Sequence, residues 1–173
     1  MMQKFLLPLL LLFFFILESV FSSVVPTHLF GESSIAVPHF IFIVLLFITI
    51  YYNPVKGIYF SMIFGFLFDI VYTELIGIYL FAYPILAYLV SNAMRILQVN
   101  LFIVSVLILV SITALEYYVY GFLLLLGRAH LSGMVFLTDR VFPTLILNII
   151  FLILFCFPLK KYLLRLLAAI EEK

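Results

Sequence analysis

Tryptophan is absent from this 173-residue chain, cysteine occurs once, and charged residues make up only 10%. Each shortage excludes something. The lone Cys156 can form no internal disulfide, and in its apolar run it reads as a packing residue. Soluble domains carry roughly a quarter charged residues, so this composition excludes an ordinary soluble domain. A net charge of +1 offers no basic surface for nucleic acid. Without tryptophan, the headgroup-level rings are tyrosines: Tyr51, Tyr52, Tyr72 and Tyr162 sit near the ends of apolar runs. Catalytic constellations are missing too. No serine, histidine and acid stand at motif spacing, and no glycine loop is built to cradle phosphate. The paired acids that would chelate magnesium for lipid phosphotransfer are absent. His28, His39 and His130 are isolated from any second ligand and read as surface residues at the outer membrane edge. No cofactor or metal is expected.

What is present is apolar: 68% of the residues are hydrophobic. The expectation is an all-α integral membrane protein, a single transmembrane domain over 1–173 forming a compact bundle of six transmembrane helices. A bilayer core of about 30 Å needs roughly 20 apolar residues per helix. Spans are expected at about 5–25, 35 or 38–52 (a short one), 57–72, 75–94, 101–125 and 139–158. Asn53-Pro54 breaks the chain, because a residue before proline avoids the helical region. Pro26 to Val37 and Gly127 to Thr138 read as outside loops, Thr73-Glu74 as a tight connection, and Arg95 to Asn100 as an inner loop. An inside N-terminus puts Lys4, Lys56, Arg95, Lys160, Lys161, Arg165 and Lys173 in the cytoplasm and only Arg128 and Arg140 outside. Both termini are therefore expected in the cytoplasm. The first run could also pass as a signal peptide with Val20-Phe21-Ser22 as its cleavage site, although Glu18 interrupts the core such peptides keep apolar. Residues 160–173 read as a cytoplasmic amphipathic tail. Lys161, Arg165 and Glu172 share one side of it and Leu163, Leu167 and Ile170 the other. It suits a helix on the inner leaflet or a docking site for a partner.

Two groups of residues need a reason to be there. Gly57, Ser61, Gly65 and Asp69 recur every fourth residue and so share one helix face. Three are small and one is an acid, so the face suits close helix packing rather than lipid. It is filled either from the chain's own bundle or by a partner. The second group is charged. A charge near the bilayer centre costs at least ~2.5–3.5 kcal/mol on insertion scales. Glu18, Asp69 and Glu116 count to similar depths in the outer half of the membrane. Arg140, Thr144 and Asn148 form a stripe at i, i+4, i+8 on the sixth span, and Thr113, Glu116, Tyr117 and Tyr120 a comparable face on the fifth. The expectation is an outer polar network of Glu18, Asp69, Glu116, Arg140 and Asn148, with Arg140 pairing to Glu116 or Asp69. The plain alternative is that each group snorkels or bonds a nearby carbonyl.

The stretch Gly65-Phe66-Leu67-Phe68-Asp69, then Tyr72-Thr73-Glu74-Leu75-Ile76-Gly77-Ile78-Tyr79, resembles the MreD family of rod-shape-determining membrane proteins in its Gram-positive form. Also similar are Lys4 to Pro8 with Glu18-Ser19, Val37-Pro38, and Leu115-Glu116 with Tyr118 to Gly121. Asp139-Arg140 with Pro143-Thr144 and Leu147-Asn148 completes a resemblance that runs nearly end to end. It implies a non-enzymatic subunit of the cell-elongation machinery. That subunit would associate with MreC, and through it with a class B penicillin-binding protein, the glycosyltransferase RodA and MreB. It also implies an architecture like the six-helix substrate-binding subunits of energy-coupling-factor transporters. Two other readings stay open. One is a transporter's small-molecule-binding subunit, with an outward cavity lined by Glu18, Asp69, Glu116 and Arg140. The other is an enzyme acting on lipid-linked substrates. Homo-oligomerisation is open as well.

Overall fold

The computed structural model describes residues 3–24, 34–73, 75–97, 100–128 and 133–171, with side chains from 6 to 169 within them. His28, Glu32, Ser33, Glu74 and His130 lie outside the described residues. Most of the described residues are helical. Helix α1 is Gln3–Val24, α2 Phe40–Tyr51, α3 Pro54–Tyr72, α4 Ile78–Ile96, α5 Leu101–Leu125, α6 Gly133–Phe136 and α7 Phe142–Glu171. A π-helical turn, Leu137–Val141, joins α6 to α7 without a break. Among the described residues, four stretches are long and apolar enough to cross a membrane: Leu6–Val24, Pro54–Tyr72, Leu101–Leu125 and Gly133–Ala169.

Local chemistry sets these boundaries. Asn53 caps α3 by accepting from the Lys56 N–H at 3.0 Å, and Pro54 takes the first turn, where its missing N–H costs nothing. Asn100 caps α5 through the Phe102 N–H. In α1, Leu7, Leu11, Phe14 and Glu18 are buried at helical spacing while Leu9, Leu12, Phe13, Ile16 and Val20 face outward.

Helix α2 is different. All but one of its residues are buried, and it touches α1, α3, α4 and α7, so it forms the axis of the bundle. Its surroundings explain its lack of a polar face. Two expectations need correction. The sixth helical stretch begins at Gly133 rather than Asp139, so the expected outside loop is shorter. Arg95 belongs to the last turns of α4. Residues 160–171 continue α7, which runs through Pro158; Leu159, Leu163 and Leu166 bury against the bundle, Leu167 is half-buried, and Lys161 and Arg165 are exposed.

Candidate functional site

The small face of α3 is filled from within the chain. A Cβ on Gly57 would lie 2.6 Å from the Thr49 Cα of α2 and collide with its hydroxyl. A Cβ on Gly65 would meet the Tyr79 carbonyl group of α4, 2.8 Å from its carbon. Ser61, between them, is fully buried. The missing side chains therefore let α2 and α4 approach α3 closely.

Asp69, one turn beyond Gly65, completes the same contact. Gly77 precedes α4 with φ +117 and has no side chain to cap it. Asp69 reaches over and supplies the cap. Its carboxylate accepts from the N–H groups of Gly77 at 2.8 Å, Tyr79 at 2.9 Å and Leu80 at 3.0 Å. Helix N-termini leave N–H groups unpaired and carry partial positive charge, so a buried carboxylate is stabilised there. Gly65 brings the start of α4 close, and Asp69 binds it.

Glu18 does for α2 what Asp69 does for α4. It is 2% exposed on α1, and its Oε2 accepts from the Ile41 N–H at 2.8 Å. His39, at the N-cap position of α2, gives no side-chain cap.

The segment before α2, residues 34–39, has no helical or strand structure and lies along the stripe on α7. The Ile35 N–H donates to the Asp139 carbonyl at 2.7 Å, the Val37 N–H to Thr144 Oγ1 at 3.1 Å, and the His39 N–H to Asn148 Oδ1 at 2.9 Å. Asn148 Nδ2 returns a bond to the Val37 carbonyl at 3.0 Å. The register follows from geometry. Alternate residues of extended chain advance about 6.6 Å, and four residues of helix about 6.0 Å, so a four-residue stripe can meet every second N–H. Pro143 contributes by omission, because it has no N–H for the Asp139 carbonyl one turn back.

Beside this strap lies an ion pair. Glu116, 1% exposed on α5, accepts from Arg140 Nε at 2.7 Å on one oxygen and from His39 Nε2 at 2.7 Å on the other. Arg140 stands in the π-helical turn. Its partner is Glu116, and Asp69 takes no bond from it. The expected single network thus separates. Glu18, Glu116, Arg140 and Asn148 gather at the strap and the start of α2, whereas the bonds of Asp69 go to the α3–α4 connection. His39 is corrected most sharply: it is 1% exposed and central rather than at the surface. The expected face on α5 also divides. Tyr117 and Tyr120 turn their rings to Phe136, and Thr113 bonds the Leu109 carbonyl.

Each of these groups bonds the protein itself. By contrast, a groove of about 590 Å³ between α1 and α7 is lined by apolar side chains such as Phe13, Val20, Ile150 and Leu154. The described residues hold no cluster of three or more histidine, cysteine or acidic side chains fit for a metal.

The family model described as rod shape-determining protein MreD matches residues 3–166. The chain belongs to the MreD family. Rod shape-determining protein MreD of Bacillus subtilis (strain 168) is 31% identical over 172 residues, covering 99% of this chain and 100% of that protein. No solved structure matches. MreD proteins are membrane-associated determinants of rod shape and not enzymes.

Proposed function

We propose that this chain is a membrane subunit of the cell-elongation machinery that binds MreC and helps organise peptidoglycan synthesis. RodA, MreB and a class B penicillin-binding protein join it directly or through MreC. The observation that carries the reading is the end-to-end match to a rod shape-determining relative. The site chemistry is compatible with it. The buried acids bind backbone and side chains of the chain itself, as expected of a scaffold.

The same proposal gives the chain six membrane crossings and two cytoplasmic termini, on a plan like that of energy-coupling-factor substrate-binding subunits. Helix α2, with 12 residues, covers about 18 Å. Six residues of extended strap add about 20 Å. Together they exceed the ~30 Å core. Non-helical backbone is tolerated at that depth only when protein satisfies its polar groups, and the α7 stripe does so. Of the acids that would line a polar ligand site, Asp69 and Glu116 have both oxygens bonded within the chain and Glu18 has one.

Affinity purification from the native membrane, with identification of the chains that come with it, tests the reading. MreC should be recovered. An intact, inserted chain recovered repeatedly without MreC or any other elongation component overturns it.

A further inference from the structure

Charge is sorted along the bundle. The described carboxylates Glu18, Asp69, Glu116 and Asp139 lie toward the end where α2 begins. The end where α2 finishes carries Lys56, Arg95, Lys160, Lys161 and Arg165. None of these five cations meets a carboxylate among the described residues. Two are held in place. Lys56 Nζ lies 4.9 Å from the Tyr52 ring centroid and donates to its hydroxyl at 3.2 Å. Lys160 Nζ lies 5.4 Å over the ring of Tyr51. Tyr51 is itself fixed, 6% exposed and stacked on Phe47 at 5.6 Å. Its buried hydroxyl has no partner.

We propose that the turn between α2 and α3 binds the phosphate of an anionic phospholipid between the ammonium groups of Lys56 and Lys160. The two ammoniums rest on the rings of consecutive residues, Tyr52 and Tyr51, at the end of α2. Aromatic faces hold a cation without neutralising it, so both charges remain available to an anion. The Lys56 ammonium has three donors and uses one on Tyr52. The Tyr52 hydroxyl accepts that bond and keeps its own proton to donate. Exposed Val55 and Tyr59 flank Lys56, giving apolar surface beside the charge. A lipid matches both halves of this arrangement, whereas a free phosphate uses only one. Placing the lipid in the inner leaflet rests on the proposed orientation.

The test uses the purified full chain in neutral detergent and native mass spectrometry of retained lipid. Wild type should hold phosphatidylglycerol in preference to phosphatidylcholine, and millimolar inorganic phosphate should not displace it. Each cation near a membrane surface is worth about fivefold in affinity. Lys56→Gln with Lys160→Gln should therefore lower phosphatidylglycerol retention by about 25-fold and leave phosphatidylcholine unchanged. Arg95→Gln, which removes a cation from the same end but off the two tyrosines, should change little. Lys160→Arg should keep the preference. Equal retention by the double variant overturns the site. So does an equal loss in Arg95→Gln, which would mean diffuse attraction, or displacement by inorganic phosphate. The readout needs neither MreC nor a growing cell, so its failure is separable from failure of the rod-shape reading.

Discussion

At the scale of single residues, two of the buried acids, Glu18 and Asp69, are helix caps placed on neighbouring helices. Asp69 shows the consequence. Removing its carboxylate strands N–H groups that have no water to turn to, and each buried unsatisfied group costs about 1–3 kcal/mol. Asp69→Ala should destabilise the chain by roughly 3 kcal/mol or more, and Asp69→Asn by less, because the amide oxygen still accepts. Reversible unfolding in bicelles would read the order. An alanine variant as stable as wild type would refute the cap. Gly65→Leu makes a different point. Its side chain would enter the Tyr79–Leu80 backbone, so it should destabilise the isolated chain by at least about 1–3 kcal/mol, or prevent folding. A Gly65→Leu chain that folds normally and loses only a partner would instead mean that this face is an external interface. The spacing of Gly65 and Asp69 is legible in the sequence, because a four-residue repeat fixes a helix face. What covers the face is not legible, because a partner's backbone and the chain's own require the same small residues.

At the scale of elements, the unusual part is the strap and the short helix it feeds. Sequence shows a proline, a histidine and an apolar run too short for a membrane span. It does not show that the backbone before the run stays extended beside α7. His39 is missed for that reason: an isolated histidine in a loop reads as surface until the strap brings it against Glu116. The signal available was the i, i+4, i+8 stripe of Arg140, Thr144 and Asn148, but the strap residues that Thr144 and Asn148 bond sit more than a hundred residues upstream. The π-helical turn is equally silent, since its extra residue leaves no compositional mark. Two outcomes follow from the geometry. Asn148→Ala removes the acceptor of the His39 N–H and should raise hydrogen exchange at His39 about tenfold, the equivalent of one ~1.4 kcal/mol bond, and less at Val37, whose N–H keeps Thr144. Unchanged exchange at His39 would contradict the zipper. Arg140→Leu leaves the buried Glu116 facing His39 alone, and breaking a buried pair costs about 3–5 kcal/mol. Thermal stability should therefore fall more in Arg140→Leu than in a double variant that also carries Glu116→Gln. Equal loss in both would show that the pair is uncoupled.

At the scale of the whole molecule, the chain puts its buried carboxylates toward one end, Lys56, Arg95, Lys160, Lys161 and Arg165 at the other, and an enclosed helix along its axis. Its class was readable from composition alone, since so few charges among so many apolar residues leave little besides a membrane. The family was readable from the order of short motifs, each weak by itself. The structure shows what those motifs do together: Gly65, Asp69, Gly77 and Tyr79 form one junction, and Glu116, Arg140, Thr144 and Asn148 form another. Both junctions hold helices at fixed mutual positions. Depletion of the chain from the bacterium that carries it tests most directly whether this scaffold maintains rod shape. Cell width and length would be measured by microscopy as the protein disappears. Cells should widen and round up, and re-expression of the wild-type chain should restore rods. Cells that keep their width and length after the chain has gone would contradict the account.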